Sequence, residues 1–490
     1  MCVAALAQTN TPGIQKMSLD DCIQSALEKN LDVRIARYNP PMSLSDLQAA
    51  YAGYNPTFTA GGQHSYSKSG GGFNPSIGVV PASEANDNSF NSGITGLMPW
   101  GLNYNLKGNI SESYGTGAQG PLSAPFDNSS GSASLTMSQP VLKNFWIDQT
   151  RFNIKVAKNR IKYTDLGLKQ TIMNIATTVE QAYYDLIYAR ENVLVQEKAV
   201  ELATQLEVEN RKRVEVGALA PLDQKQAEAQ AASTRATLIA AKGTLVIQEN
   251  TIKQLIFDNF SAVQPVDLQP TAPLSAPIQV FDRQISWSIG LAERPDLLQA
   301  KLDVERQGIT LKYNFNQLFP ELDVTGSYGF GAGGSDIREY YQAFDQIGQG
   351  SRPFYTFGGL LTYPIGNTGA RANYKKSKLA MEQYVLALKK LEQSIIIAID
   401  NDIVQAKSSY QQVAATRSAR EYAADALAAE QKKLENGKST TYTVLQMQRD
   451  LTTARGNEIQ ALATYNKALA QLSLDEGTTL KRLSINVDVK

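Results

Sequence analysis

Two stretches of the sequence each leave a long charged helical segment, pass one glycine and begin a helix again. They are RKRVEVGALAPLDQKQAEAQ at 211–230 and QKKLENGKSTTYTVLQMQRD at 431–450. Gly217 and Gly437 suit helix ends, because many helices end on a residue in the left-handed conformation. Pro221 suits the first turn of the next helix, where its missing N–H costs nothing. The sequence therefore predicts two long helical hairpins.

Other landmarks recur in the same order in the two halves of the chain. Asp32 and Pro56 match Asp296 and Pro320, each 264 positions later (296 − 32 = 264 and 320 − 56 = 264). The offset falls to 220 at the glycines (437 − 217 = 220), because the first half holds a longer segment rich in glycine, serine and asparagine around 70–128. An ordered series of this kind indicates an internal duplication.

The duplication sets the predicted division of the chain. A first repeat occupies 17–280 and a second occupies 281–475, followed by a C-terminal tail at 476–490. Residues 1–16 are interpreted as a signal-peptide remnant or a disordered N-terminus, since Ala5-Leu6-Ala7 fits the small-x-small pattern of secretory cleavage sites. A chain of 490 residues also exceeds what one hydrophobic core normally supports.

Each repeat contains two long helices. The predicted helices are 150–213, 222–257, 370–435 and 440–473. In the first, apolar residues such as Ile172, Ile175 and Val179 follow one another in steps of three and four, the pattern of helices that pack side by side. At ~1.5 Å per residue this helix is about 95 Å long, so it needs neighbouring helices along its whole length.

The segments before the long helices alternate between apolar and polar residues. The predicted strands are about 56–68, 92–112, 130–142, 320–331 and 354–365. In PELDVTGSYGF, Leu322, Val324 and Tyr328 lie on one face, and Glu321 and Asp323 lie on the other. Segments of this kind are typical of barrel strands with lipid outside and water inside, although a half-buried soluble sheet alternates too. These strands fall short of the known minimum of about eight for a barrel, so closure requires several chains.

The order of these motifs resembles that of the TolC-like outer membrane efflux proteins over about residues 17–475. The motifs are NLDV, SQPVLKNF, VGALAPLDQKQAEAQ, RPDLLQAKLDVERQG, LLTYPIGNTGARANYKKSKLA and NGKSTTYTVLQMQRDL. The resemblance implies an α+β membrane protein with the TolC-like fold. Its duplicated strand and long-helix hairpin repeat would build a trimeric 12-stranded β-barrel continued by a long α-helical periplasmic tunnel. Four strands per chain are favoured, and six, which give 18, stay open.

The same resemblance implies what the protein does. It would be the outer membrane channel of a tripartite efflux or type I secretion system, a passive exit duct gated by its periplasmic helix tips. Its expected partners are further copies of itself in a homotrimer, a periplasmic adaptor, an inner-membrane transporter and outer-membrane lipid. A secreted coiled-coil scaffold without channel activity is the alternative, but it leaves the alternating strands unexplained.

The resemblance also implies functional residues at the tips. A pore constriction is expected at Thr443 and Gln446, where the best-known relatives carry carboxylates, so the mouth here would be polar and uncharged. Relatives link the acid at Asp223 to an aromatic residue, but that partner position is Leu434 here, which argues against the link. Asp223 also suits the positive end of a helix dipole. The residues expected to contact the adaptor are Val216, Gly217, Ala218, Leu219, Gly437, Lys438 and Ser439.

Other classes of function find little support. Basic and acidic residues balance at 47 each, which provides no electrostatic attraction to nucleic acid. His64 is the single histidine, so a histidine-based triad or a zinc cluster lacks its other members. The sequence holds no phosphate-binding glycine motif that opens a helix. We therefore expect no enzyme activity, no cofactor and no bound metal.

Overall fold

The computed structural model describes four stretches of the chain, 13–76, 78–119, 122–334 and 337–485. Most of the predicted signal-peptide remnant, residues 1–12, lies outside them. The helices are α1 (Leu19–Lys29), α2 (Leu31–Ala36), α3 (Asn39–Tyr51), α4 (Gln149–Glu215), α5 (Pro221–Ile256), α6 (Phe260–Val263), α7 (Arg283–Glu293), α8 (Pro295–Asn316), α9 (Tyr340–Gly348), α10 (Thr368–Glu435), α11 (Thr441–Asp475) and α12 (Thr479–Arg482). The strands are β1 (Ile14–Met17), β2 (Thr57–Ser69), β3 (Gly72–Asn74), β4 (Gly78–Val80), β5 (Ser83–Leu97), β6 (Asn103–Gln119), β7 (Leu122–Pro140), β8 (Asp267–Pro270), β9 (Glu321–Ala332) and β10 (Pro353–Thr362).

The described residues form two compact units. We call the first the helical unit; it holds the described residues up to Pro41, Lys162–Leu302 and the described residues from Leu386 onward. We call the second the sheet unit; it holds Met42–Ile161 and Asp303–Val385. The return helices α5 and α11 belong wholly to the helical unit, and the strands with alternating apolar and polar residues belong to the sheet unit.

The four long helices begin and end within two residues of their predicted limits. The helices α4 and α10 have 67 and 68 residues, and the return helices α5 and α11 have 36 and 35. All four are rich in alanine, leucine and glutamine, which have high helix propensity. Their apolar residues recur in steps of three and four, so each helix buries a stripe rather than its whole surface.

Buried stripes from both repeats form the core of the helical unit. Ile395, Ile399 and Ile403 of α10 pack against Leu297 of α8 and Leu472 of α11, and all five are nearly inaccessible to solvent. A second cluster joins α4 and α5 to the short helix α1. Its buried members include Cys22, Val179, Tyr183, Leu186, Ile252 and Ile256.

Both ends of the described chain are held in place. Ile14–Met17 pairs in parallel with Asp267–Pro270, so part of the segment predicted to be disordered is a strand. Beyond α11 the chain forms α12, where Thr479 is fully buried and Arg482 pairs with the buried carboxylate of Glu180. Backbone pairing at one end and a paired charge at the other hold these segments, and neither is visible in local composition.

A side-chain hydrogen bond to a helix carbonyl, called the tie below, occurs at equivalent positions of the two repeats with different donors. In the first repeat, the side-chain amide of Asn30, which caps α2, donates to the carbonyl of Leu255 in α5 at 2.9 Å. In the second, the guanidinium of Arg294, which precedes α8, donates to the carbonyl of Asp475 in α11 at 3.2 Å. These positions are equivalent in the repeats (475 − 255 = 220 and 294 − 30 = 264). The duplication therefore extends to an individual contact.

Six strands form one antiparallel sheet in the order β10-β9-β7-β6-β5-β2. This corrects the preference for four strands per chain. The predicted single strand at 92–112 is in fact parts of two strands, β5 and β6. The chain reverses between them because Pro99 cannot donate a ladder hydrogen bond and Gly101 adopts φ +96°. The N–H of Gly101 donates to the carbonyl of Met98 at 2.8 Å and closes the turn.

The two faces of this sheet differ in polarity. Successive side chains of a strand point to opposite faces, so the strand register defines rows of side chains that share a face. One row across all six strands is apolar and consists of Phe58, Ile94, Leu106, Leu135, Tyr328 and Tyr355. The adjacent row on the opposite face is polar and consists of Thr57, Thr95, Asn105, Thr136, Ser327 and Thr356.

A buried carboxyl group lies beside the Arg294 tie. The guanidinium of Arg294 is 2.7 Å from a carboxylate oxygen of Asp296 and 2.7 Å from one of Asp475. Asp402 of α10 lies against Asp475, and burial together with that neighbouring carboxylate raises the pKa of Asp402 to about 8. The folded chain thus holds a proton that the unfolded chain releases.

We expect the protein to lose stability as the pH rises from about 4 to about 8. Below the ordinary carboxyl pKa, Asp402 is protonated in both the folded and the unfolded chain. Above it only the folded chain keeps the proton, until its own pKa of about 8 is passed. Because Asp402→Asn cannot ionise, its melting temperature should fall less between pH 5 and pH 8 than that of the unaltered protein. Asp425→Asn, at an exposed carboxylate of α10, is the control, and equal pH dependence in the two variants would contradict the assignment.

Candidate functional site

The first helix tip ends α4 in a defined backbone motif. Gly217 adopts φ +75°, and its N–H donates to the carbonyl of Val214 at 3.0 Å. The N–H of Ala218 donates to the carbonyl of Arg213 at 2.7 Å. These two bonds form a Schellman motif, which satisfies carbonyls that a helix end otherwise leaves without partners. The helix α5 then begins with Pro221 in its first turn, where the sequence placed it.

The second tip repeats the same ending with different side chains. Gly437 adopts φ +67°, and its N–H donates to the carbonyl of Leu434 at 3.1 Å. The N–H of Lys438 donates to the carbonyl of Lys433 at 2.8 Å. The start of α11 differs from that of α5, because the hydroxyl of Thr440 accepts a backbone N–H of its first turn. The two tips therefore share one stop signal and use different start signals.

The residues expected to contact the adaptor lie at the surface of the helical unit. Val216 is 77% exposed, while Leu219 and Ser439 are partly buried. Sequence reasoning missed two exposed apolar side chains beside them, Leu222 and Tyr442, at 67% and 62% exposure. They occupy equivalent positions in the first turns of α5 and α11 (442 − 222 = 220), so the duplication could have identified them as a pair.

The residues expected to form the constriction lie one turn apart on α11. Both Thr443 and Gln446 are partly buried, and the side chain of Gln446 donates to the carboxylate of Asp450 at 3.2 Å. Residues at spacings of three and four share one side of a helix, so the three side chains form one stripe. A carboxylate therefore lies on this stripe after all, one turn farther from the tip than in the pattern of the relatives.

Contacts between the two hairpins differ from the pattern of the relatives. The side chain of Leu434 packs against an apolar cluster, whose buried members are Leu206, Leu427, Val444, Leu445 and Leu451. Asp223 is partly buried, and its backbone N–H donates to the carbonyl of Ala220 at 3.0 Å. A polar contact lies elsewhere, where Arg449 of α11 donates to the side-chain oxygen of Gln230 in α5 at 2.6 Å.

A buried amide lies between the hairpins. Asn210 of α4 is 1% exposed, and its Nδ2 is 3.4 Å from both the hydroxyl of Thr441 and the carbonyl of Asp223. Within the described part of the chain, its Oδ1 is buried without a hydrogen-bond partner. A buried polar group left in this way costs about 1–3 kcal/mol, so this position favours any arrangement that admits water.

The described residues contain neither a membrane-spanning helix nor a cluster of metal ligands. Over the residues that the structure describes, no helix is both long enough and apolar enough to cross a membrane. The same residues hold no group of three or more histidine, cysteine, aspartate or glutamate side chains placed to bind a metal ion. The ring of His64 instead contacts the side chain of Asn88 at 2.7 Å.

Comparison with known proteins gives the class of this chain. The sequence model of a family described as "Outer membrane efflux protein" matches residues 22–256 and 288–475. The chain therefore belongs to the outer membrane efflux protein family. It is an outer membrane channel protein of efflux systems with a TolC-like fold, which confirms the resemblance seen in the sequence and disfavours the scaffold alternative.

Individual relatives agree with this class. The outer membrane efflux protein BepC of Brucella suis is 25% identical over 337 residues, which cover 68% of each chain. The outer membrane protein TolC of Vibrio cholerae is 24% identical over 387 residues, covering 75% of this chain and 82% of that one. The fold matches the CmeC outer membrane channel of Campylobacter jejuni with a TM-score of 0.69 at 16% identity, covering 99% of this chain and 95% of that one. None of these three names describes an enzyme.

We expect Gly217→Ala and Gly437→Ala each to weaken their tip by about 1 kcal/mol, because alanine pays about 1–2 kcal/mol in the left-handed conformation. Gly243→Ala in the middle of α5 should have the opposite effect, since alanine is favoured there by about 1 kcal/mol and its Cβ would meet no described atom within 4 Å. Hydrogen exchange of the amides around each substituted position, followed by mass spectrometry, measures the effect of each variant. Unchanged exchange in Gly217→Ala would rule out the left-handed ending.

Proposed function

We propose that three copies of this chain close one barrel in the outer membrane and form a passive exit duct for a tripartite efflux or type I secretion system. In this proposal a periplasmic adaptor binds the helix tips and an inner-membrane transporter supplies the energy. The observation that carries the proposal is the open sheet, whose two outer strands each have a partner on one side only within the described residues.

The open edges require further copies. Within the described chain, β2 pairs with β5 and β10 pairs with β9, and every residue of β2 and β10 is exposed. Lipid offers no hydrogen bonds, so each unpaired N–H or C=O there costs several kcal/mol. Joining β2 of one copy to β10 of the next satisfies both edges. The number three comes from the family resemblance, and six strands from each copy replace the expected 12-stranded barrel by one of about 18 strands.

The polarity of the sheet supports a water-filled duct. The apolar row that contains Leu106 and Tyr328 suits contact with lipid, and the adjacent polar row that contains Asn105 and Ser327 suits a hydrated lumen. A soluble sheet would cover its apolar face with other elements of the chain. Here Phe58 is 67% exposed and Tyr355 is 73% exposed, so membrane lipid is the natural cover.

The two tips supply the surface for the adaptor. Val216, Leu222 and Tyr442 are exposed apolar side chains beside the glycine turns. Exposed apolar groups rimmed by charged residues such as Lys438 mark protein contact sites. Because both tips end in the same backbone motif, one adaptor surface could bind each of them in a similar way.

The gate follows from the contacts at the tips. Thr443, Gln446 and Asp450 form a polar stripe on α11 that would line the narrow mouth, where Asp450 adds negative charge. The hairpins are joined by the apolar cluster that contains Leu206 and Val444 and by the polar contact between Gln230 and Arg449. A hydrogen bond of the latter kind contributes about 0.5–1.5 kcal/mol. Opening the mouth would break such contacts and give the buried oxygen of Asn210 access to water.

Removing side-chain volume from the constriction should widen the pore. We expect the double variant Thr443→Ala with Gln446→Ala to show higher single-channel conductance in planar lipid bilayers than the unaltered trimer. Thr237→Ala, at an exposed position of α5 away from the tips, is the control and should leave conductance unchanged. Unchanged conductance in the double variant would place the constriction elsewhere.

Breaking the contact between the hairpins should favour the open state. Arg449→Ala removes the partner of Gln230, and a loss of about 1 kcal/mol raises the ratio of open to closed states about fivefold. The control is Arg417→Ala, which removes an ion pair with Glu458 inside the second hairpin. Open-channel lifetimes in planar bilayers test the gate, and native mass spectrometry tests the assembly. Equal lifetimes in the two variants would refute the proposed gate. A monomer in native mass spectrometry would refute the proposed assembly.

A further inference from the structure

The apolar rows of the sheet stop at the row that contains Ala332, and a polar row follows on the same face. On β7, β9 and their neighbours the apolar rows run from Leu322 to Ala332, a distance of about 33 Å along a strand at ~3.3 Å per residue. With the usual tilt of barrel strands this corresponds to about 25 Å of membrane thickness. The next row is polar and contains His64, Asn88, Glu112 and Ser129.

The short helix α9 lies on this apolar face beside the polar row. Ala343 is fully buried, and Ile347 contacts the sheet at Gly131, where a Cβ atom would be 3.1 Å from its Cδ1. The ring of Tyr340 packs edge-on against Phe90 at 5.7 Å. An amphipathic helix with aromatic side chains at this level is typical of a membrane–water interface.

A furrow of small side chains passes beneath the helix. The register places Ala60, Ser92, Gly108 and Ala133 in one row across four strands of the apolar face. The flanking rows on the same face hold large side chains, Phe90 and Ile110 on one side and Phe58, Ile94, Leu106 and Leu135 on the other. Small residues between large ones leave space, which here is a mostly apolar cavity of about 650 Å³.

We propose that this cavity binds a fatty acyl chain of an outer-membrane lipid, with Phe344 and Ile347 of α9 as its roof. The cavity is lined by all four residues of the furrow and by both roof residues. Its volume lies within the range of about 300–1,000 Å³ found for small-molecule sites. A chain bound there would place its polar headgroup at the row of His64, Asn88 and Glu112, just outside the apolar face.

The position of the cavity favours lipid over other occupants. Efflux cargo travels through the hydrated lumen, whereas the furrow lies on the opposite, apolar face of the sheet. Another copy of the chain would join at the open edges of β2 and β10. Of the four furrow residues only Ala60 lies on β2, whereas Ser92, Gly108 and Ala133 belong to the inner strands of the sheet. This inference rests on the barrel proposed above, in which the surrounding apolar surface faces membrane lipid, so that an acyl chain can enter the furrow without crossing water.

Filling the furrow should abolish the site. A Cβ atom at Gly108 would meet only ordinary van der Waals contacts, so Gly108→Leu is chosen to place a side chain in the cavity, and Ala60→Leu is a second variant of the same design. The matched control is Gly326→Leu, on the same apolar face but outside the cavity, where a Cβ meets no described atom within 4 Å. The probe is dimyristoyl phosphatidylethanolamine added to the purified full-length assembly in detergent, with native mass spectrometry as the readout.

We expect saturable binding of one lipid per chain in the unaltered protein and in Gly326→Leu. The affinity for the lipid should be at least about tenfold lower in Gly108→Leu and Ala60→Leu. This is the loss expected when two CH₂ groups of the acyl chain are no longer buried in the cavity. Equal affinity in all variants would overturn the proposal, as would the absence of saturable binding in the unaltered protein.

Discussion

The unpaired edges of the six-stranded sheet constrain the whole protein. A backbone N–H or C=O in hydrocarbon has no water to bond, so an outer strand must find another strand or leave the membrane. In this chain β2 and β10 are long, fully exposed, and paired on one side only within the described residues. A chain with such edges is complete only in the company of its own copies. Assembly is therefore a requirement of backbone hydrogen bonding and not an addition to a finished fold.

The two repeats share backbone geometry and contact positions but use different side chains at them. Both tips end in a glycine at positive φ with the same two backbone bonds, although α5 begins with a proline and α11 with a threonine cap. The tie from Asn30 to Leu255 has its counterpart from Arg294 to Asp475. Backbone carbonyls accept from any suitable donor, so the position of the donor matters more than its identity. The second repeat also has the partly buried carboxyl of Asp402 beside its tie, where burial and the neighbouring Asp475 raise the pKa of Asp402.

Different interactions suit the two tasks of the molecule. Apolar stripes such as Ile395, Ile399 and Ile403 hold the helical unit along its length, and they are costly to separate. The hairpins near the tips are joined partly by polar groups, including the contact between Gln230 and Arg449 and the incompletely bonded Asn210. Polar contacts exchange readily with water, so each of them costs less to separate than a buried apolar contact of the stripes. The sheet unit differs from both, because apolar side chains such as Phe58 and Tyr355 are left exposed by the chain itself.

Local signals in the sequence determined the long helices, the glycine turns and the family, because helix periodicity and end signals act over a few residues and recur in order along the chain. The number of strands was not determined, since the reversal at Gly101 and the pairing of β5 with β6 depend on a sheet built from distant segments. The tertiary structure alone paired Gln230 with Arg449, 219 positions apart, and brought α9 over Gly108 and Ala133. Such contacts depend on how elements pack, and no local pattern encodes which side chains packing brings together.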